Sequence, residues 1–271
     1  MRSILITGAY GGMGLAAVKR FASLGYTVFA LDIRAVADER IAGVIPITVD
    51  LTDENSLLLA REKVGEYTDT IDLVLHFAGM YDLDSLVEMR REAFSKILDV
   101  NLRSAYLVNR TFLRMLKRGS RILITTSELA TLDPLPFTGI YAVTKAALDK
   151  YAFSLAMELQ LLGIRVSVLR AGAVDTGMLG VSTTALDRFC ENTTLYTCNA
   201  ERFKSIVEGV EARAVSPEKI AKRCERILTK RNPRFGYSIN RNPLLLLLNA
   251  LPKRVQLFAI KMVLKPKREG K

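Results

Sequence analysis

Ser3-Ile4-Leu5-Ile6-Thr7-Gly8-Ala9-Tyr10-Gly11-Gly12-Met13-Gly14 decides how the rest of the chain is read. The first five residues form a strand-like apolar run, and the next seven carry four glycines. Leu15, Val18 and Ala22 then recur at helical spacing up to Gly25, which sits where a helix would end. A strand that turns through glycines into a helix lets a pyrophosphate approach backbone N–H groups at a positive helix end. Such turns also occur without a ligand, so the reading depends on the residues beyond Gly25.

Those residues repeat the alternation. Residues 27–31 (TVFAL), 44–49 (VIPITV), 71–77 (IDLVLHF), 121–126 (RILITT) and 165–170 (RVSVLR) read as further strands. Most are continuously apolar, as strands are when both sheet faces are covered. Helical patterns lie between them over about 53–67, 101–118 and 141–162. Ser216-Pro217-Glu218 opens another helix with a cap residue followed by proline, and a last short strand is expected at 236–240. The pattern predicts an α/β fold: one doubly wound (Rossmann) parallel sheet of about seven strands with helices on both faces. Residues 1–242 are expected to form this domain. Within it, 177–215, rich in Gly, Ser, Thr and Asn, read as an irregular insertion of the kind that builds a substrate lid.

The chain has 271 residues, 49% hydrophobic and 25% charged, which suits one large globular domain and excludes disorder as its theme. Its net charge of +11 first suggests nucleic acid or an anionic membrane. Residues 230–271, however, hold eleven of the Lys and Arg and a single acid, Glu269, so the body is nearly neutral. Residues 243–271 form a basic amphipathic tail in which Leu251, Val255, Phe258 and Met262 share a helical stretch with Lys253, Arg254, Lys261 and Lys265. A membrane surface, a sister subunit or the mouth of the chain's own site remain as its partners. Nucleic acid does not, because the tail lacks interleaved aromatic stacking positions.

Cys190, Cys198 and Cys224 have no CxxC spacing and read as packing thiols of a cytoplasmic protein. With His76 as the lone histidine, no multi-histidine metal site is expected. No secretion signal is read at the start, and the leucine run 244–248 is far short of the roughly 20 residues that span a bilayer.

Three further features carry chemistry. Asp32 ends the second strand about twenty residues after the glycine turn, where a carboxylate accepts hydrogen bonds from an adenosine ribose and repels the extra phosphate of NADP. The alternatives are that Arg34 pairs with a 2′-phosphate, or that Asp32 and Arg34 form a plain ion pair. Asp50 stands either beside an adenine or as the cap of the next helix. Tyr141 and Lys145 lie at i and i+4 on one helix face, where an ammonium one turn away favours a phenolate. Ser127, at a strand end 14 residues upstream, offers a hydroxyl to hold a substrate oxygen.

In this order and on these elements, the residues resemble the classical short-chain dehydrogenase/reductases, with a hydroxysteroid-dehydrogenase-like flavour. The matches are TGxxxGxG at Gly8, Gly12 and Gly14, then Asp32, Asp50, Asn101 in DVNL, Ser127, and YxxxK at Tyr141 and Lys145. Arg170-Ala171-Gly172-Ala173-Val174-Asp175-Thr176 is similar to the family's PG-motif. The resemblance implies that Tyr141 is the acid/base, that Ser127 polarises the substrate oxygen, and that Lys145 lowers the Tyr141 pKa and holds a ribose. Asn101 would keep its helix open around a proton-relaying water. Cofactor contacts are implied for Gly8, Tyr10, Gly11, Gly12, Met13, Gly14, Asp32, Ile33, Asp50, Leu51, Ala78, Gly79, Asn101, Tyr141, Lys145, Gly172, Val174 and Thr176, with NAD favoured over NADP. His76-Phe77-Ala78-Gly79 departs from the family's NNAG, Ala171 replaces a proline, and the Ser127–Tyr141 spacing is one residue long. His76 is expected to be structural, and a bulge in the DPLPF loop to absorb the extra residue.

A pocket walled by Leu129, Leu135, Phe137, Met178, Leu179, Leu186, Phe189 and Tyr196 would suit a hydrophobic, steroid-like or lipid alcohol or ketone. The alternative is that several of these are core. Helices 101–118 and 141–162 resemble those through which family members pair, so a homodimer or homotetramer is expected. The competing reading is a nucleotide-binding sensor or scaffold that has lost catalysis.

Overall fold

Continuous apolar runs leave strands no exposed face, and in the computed structural model they lie side by side in the sheet interior. The structure describes residues 2–34, 41–210 and 214–265, apart from the side chains of 178–182 and 208–210. Seven strands, β1 (Ser3–Thr7), β2 (Thr27–Asp32), β3 (Val44–Thr48), β4 (Ile71–His76), β5 (Leu116–Ser127), β6 (Arg165–Ala171) and β7 (Gly236–Ile239), form one sheet. Their order is β3-β2-β1-β4-β5-β6-β7, and every pairing is parallel. The order reverses between β1 and β4, so the crevice outside their carboxyl ends is where such a sheet binds ligands.

Helices cover both faces. On one, α2 (Glu54–Gly65), α4 (Ser104–Phe112) and α5 (Gly139–Leu159) bury Leu57, Phe112 and Leu148 against Leu5, Phe29, Ile122 and Ile124. On the other, α1 (Gly12–Ser23) and α8 (Pro217–Thr229) pack Phe21, Ile220 and Cys224 against Ile4, Ile6 and Leu75. Asp53 caps α2 by accepting from the N–H groups of Asn55 and Ser56. Asp50 is therefore not that cap; its Oδ1 accepts instead from the Thr52 N–H (2.8 Å) and hydroxyl (2.7 Å).

Two expectations are corrected. The helix expected over 101–118 begins ten residues earlier, as α3 (Arg91–Leu98), and passes through a π turn at Asp99–Arg103 into α4. It is over by Met115, because Leu116 already pairs with Ile71 as the start of β5. The stretch 177–215 is largely not irregular: it contains α6 (Gly177–Asn192) and α7 (Thr197–Val210). No proline interrupts these segments, and Ala185, Leu186, Phe189, Ala200 and Phe203 recur at helical spacing, so both helices bury an apolar face in a satellite core with Leu83 and Leu264. The tail forms two short helices, α9 (Pro243–Asn249) and α10 (Lys253–Leu264). Among the described residues no helix is long and apolar enough to cross a membrane.

Phe29 is fully buried between β1, β3 and α2, so Phe29→Ala leaves a cavity as well as losing transfer free energy. Urea unfolding of that variant is expected to show a loss of about 3–5 kcal/mol; a loss below about 1 kcal/mol would contradict this packing.

Candidate active site

The glycine turn works because the chain has no room there for side chains. Gly8 has φ +64°, and a Cβ on it would come within 2.7 Å of the Ala78 backbone nitrogen at the end of β4. A Cβ on Gly12 would lie 2.6 Å from Thr176 Cγ2. β1, β4 and the segment after β6 thus converge on one point. Gly11 is the N-cap of α1 and no side chain caps the helix, which leaves its first-turn N–H groups to an anion.

Above this turn lies a cavity of about 740 Å³. Of the residues for which cofactor contacts were expected, Gly8, Tyr10, Gly11, Gly12, Met13, Gly14, Asp32, Ile33, Asp50, Leu51, Ala78, Gly79 and Thr176 line it. Arg34, weighed from the sequence as a phosphate or Asp32 partner, lines it too; so do Thr52 and Lys96, which were not foreseen, Lys96 because its helix was placed too far along the chain. Asp32 is buried, and its Oδ2 accepts from the Tyr10 N–H at 2.8 Å. Arg34 also pairs with it, Nε to Oδ1 at 3.2 Å and Nη2 to Oδ2 at 3.4 Å. Burial raises the Asp32 pKa, but the hydrogen bonds from Arg34 and from the backbone of Tyr10 and Arg34 outweigh it and hold the carboxyl below its ordinary value. Of the alternatives for Asp32 and Arg34, the ion pair is therefore formed.

A second cavity of about 270 Å³ adjoins the first, with Met13, Tyr81 and Thr176 in both walls. Ser127 from the end of β5 and Tyr141 from the first turns of α5 line it, together with Gly172 and Val174. The two hydroxyl-bearing side chains share this wall, and Ser127 is among the groups that act on the Tyr141 pKa. Of the walls expected for it, Leu129 and Leu135 are there. Phe137, Leu186, Phe189 and Tyr196 belong instead to the satellite core, and the side chains of Met178 and Leu179 lie outside the described residues. Phe137, in the DPLPF loop between Ser127 and Tyr141, adopts a left-handed φ of +67°. The remaining walls, Phe203, Ile206 and Val207 of α7, Leu245 of α9, and Glu128, could not be found without knowing that α7 and the tail fold over the sheet end.

Behind the hydroxyls, Lys145 and Asn101 are buried. Asn101 sits in the π turn, where its Oδ1 accepts from the Met80 N–H (2.7 Å) and its Nδ2 donates to the Met80 carbonyl (2.9 Å) and to Thr144 Oγ1 (3.0 Å). A Cβ on Gly79 would come within 3.3 Å of both Asn101 Oδ1 and Lys145 Nζ. Lys145 Nζ lies 5.7 Å from the Tyr141 ring centroid, and burial lowers its pKa to about 8. The shift of Tyr141 is governed here by burial, Ser127 and Tyr81. Burial raises the phenol well above its ordinary value, Ser127 only partly offsets this, and Tyr81, with its ring centroid 4.9 Å away, raises it further.

The comparisons with known proteins agree with this geometry. A family model described as short chain dehydrogenase matches residues 2–187. The chain belongs to the short-chain dehydrogenase family. This is a family of oxidoreductases that act on alcohols and carbonyls with NAD(P)(H). The matched region ends inside α6, so α7, α8 and the tail lie beyond it. An NADPH-dependent 1-acyldihydroxyacetone phosphate reductase of Schizosaccharomyces pombe is 28% identical over 177 residues, 64% of this chain and 60% of that protein. Estradiol 17-beta-dehydrogenase 2 of Mus musculus is 29% identical over 194 residues, 66% of this chain and 50% of that protein. The chain thus matches between half and three fifths of the length of these two relatives. A 3-ketoacyl-(acyl-carrier-protein) reductase from Brucella melitensis, solved in complex with NADH, shares the fold with a TM-score of 0.72 at 22% identity, covering 88% of this chain and 96% of that one.

His76, in place of the family's first Asn, is buried with Nε2 3.0 Å from Asn109 Oδ1, and it lines neither cavity. Burial pushes its pKa down to about 4, so the folded state holds it neutral. Its contribution to stability is complete above pH 6.5 and is lost as pH falls toward 4, on the order of 3 kcal/mol over that window. Chemical denaturation at stepped pH is expected to show this loss in the wild type and its absence in His76→Gln; equal slopes in the two would contradict it.

Proposed function

We propose that the chain is an NAD(H)-dependent oxidoreductase that interconverts a secondary alcohol and a ketone on a compact hydrophobic substrate of steroid or lipid type. The observation that carries the reading is that Ser127 and Tyr141 stand together in the wall of an apolar cavity that adjoins the glycine-floored one. The glycine cradle, the uncapped start of α1 and the Asp32 carboxylate fit a dinucleotide. When bound, the nicotinamide supplies or accepts the hydride.

The chain's own residues handle the oxygen and its proton. Ser127 Oγ, fixed by accepting from the Leu129 N–H at 3.2 Å, orients the substrate oxygen. Tyr141 is held as a protonated phenol, which makes it the acid that donates to that oxygen during carbonyl reduction; in the reverse direction it accepts the alcohol proton. Lys145, with a pKa near 8, is poised to return a proton to Tyr141 at neutral pH. Asn101 keeps Met80 and Thr144 in place around it. Met13, Leu129, Leu135 and Val207 exclude water and favour an apolar skeleton, and the mouse relative's name supports a steroid-like one.

Residues 1–242 form the catalytic domain in this reading and 177–215 its lid, supported by Phe203, Ile206 and Val207 of α7 in the cavity wall. Exposed Tyr106 on α4 and Val143, Phe153 and Met157 on α5 support association into dimers or tetramers.

A second reading, preference for NADP(H), is favoured by Arg34, which already rests on Asp32 beside the cavity and would face a 2′-phosphate. Turnover with the two cofactors separates these readings. NADH is expected to exceed NADPH in kcat/KM by at least about tenfold, and Asp32→Ala to erase the difference by removing one charge repulsion. Preference for NADPH in the wild type, lost in Arg34→Ala, would establish the second reading instead.

Tyr141→Phe is expected to lower kcat by about 10²–10⁴-fold while nucleotide fluorescence titration shows unchanged NADH binding. Undiminished turnover would remove Tyr141 from the chemistry.

A further inference from the structure

The C-terminal helices have two unlike faces. Inward, Leu245 of α9 lines the second cavity, and Gln256 and Leu264 of α10 are buried. The Asp133 N–H donates to Asn249 Oδ1 at 2.6 Å, and Lys253 pairs with the Asp133 carboxylate, so the pair of helices is pinned to the body. Outward, Leu247 is 67% exposed, Leu257 69% and Phe258 65%. At 100° per residue Phe258 stands opposite partly buried Ile260 and buried Leu264, with Val255 and Met262 to one side of it and Arg254 and Lys261 to the other.

An apolar ridge beside a row of cations narrows the partner by charge. Between Pro243 and Lys265 the chain carries Lys253, Arg254, Lys261 and Lys265 and no acidic residue. A second copy of this face, paired about a two-fold axis, would set cations against cations and leave none neutralised. A polyanion without an apolar phase would leave Leu257, Phe258 and Met262 in water. A lipid surface with anionic headgroups satisfies both halves of the face. The helices have 7 and 12 residues, too short to cross a bilayer, so they would lie in its plane.

We propose that the outer face of α9 and α10 docks the protein on an anionic membrane surface. Phe258 and Met262, with Leu247 of α9, enter the acyl boundary, and Arg254 and Lys261 meet the headgroups. Because Leu245 on the opposite side of α9 is cavity wall, docking sets that wall next to the lipid from which an apolar alcohol or ketone would come. This last step rests on the reaction proposed above; the docking does not.

The test is co-sedimentation of the full chain with phosphatidylcholine vesicles, with and without phosphatidylglycerol. Binding is expected with phosphatidylglycerol and to weaken as salt rises. Phe258→Ser with Met262→Ser, and separately Arg254→Glu with Lys261→Glu, should each reduce it by at least about tenfold. None of these four residues lines either cavity, so thermal melts and turnover of a water-soluble ketone should match the wild type. Absence of vesicle binding, binding indifferent to both pairs of substitutions, or a dimer in sedimentation velocity that the Phe258 and Met262 substitutions dissociate would overturn the proposal. Loss of turnover in a wild type that still binds vesicles would count against the reaction and not against the docking.

Discussion

The Asn101 amide is the constraint on which the rest of the site depends. Three hydrogen bonds, the one to Thr144 fully buried, tie one side chain in the π turn to both backbone groups of Met80 and to the Thr144 hydroxyl. They join the end of β4, the α3–α4 helix and α5 at the site, above the apolar core that these elements share. Removing Asn101 would take a partner from the Met80 N–H and carbonyl, and would leave Thr144 Oγ1 with only its bond to the Tyr141 carbonyl. Lys145 and Tyr141 follow Thr144 and precede it on the same helix, so their placement depends on that amide. The π turn is the local irregularity that aims Asn101 inward, and such turns concentrate at functional positions.

Electrostatics at the site then derive from burial more than from pairing. Tyr141 and Lys145 are both shifted toward their neutral forms. A phenol kept protonated beside a lysine that readily gives up its proton forms a donor chain suited to reduction. Asp32 shows the opposite balance, since hydrogen bonds prevail over burial and keep it ionised. Its pairing with Arg34 means that an arriving ribose must displace a guanidinium, so cofactor choice depends on how the two share the pocket edge.

Much of this was legible in the sequence because it rests on local rules. Strand runs, the glycine turn, the Pro217 helix start and the Tyr141–Lys145 spacing need only period and turn chemistry. The α3–α4 boundary was misread because Leu116 leaves the helix for a pairing with Ile71, a contact between segments far apart in sequence. Residues 177–215 looked irregular because Gly, Ser and Thr obscured a helical apolar period that only the satellite core makes decisive. The pocket walls were half right for the same reason. Aromatic residues near a site can serve core and cavity at once: Phe189 and Phe203 both belong to the satellite core, and Phe203 also reaches the cavity wall. The tail's charge was plain from the start, and the mouth of the site was one of the partners left open for it, but the residue that reaches the cavity, Leu245, was not singled out.

The central claim is that hydride moves between a nicotinamide and a substrate carbon held by Ser127 and Tyr141. Deuterium tracing tests it most directly: the protein is incubated with NADH deuterated on each face of C4 in turn and a panel of apolar ketones, and the alcohols formed are analysed by mass spectrometry. The account predicts one deuterium on the carbinol carbon from one face only, with a primary isotope effect on single-turnover oxidation of the nucleotide. Alcohol that carries no label from either face would contradict it.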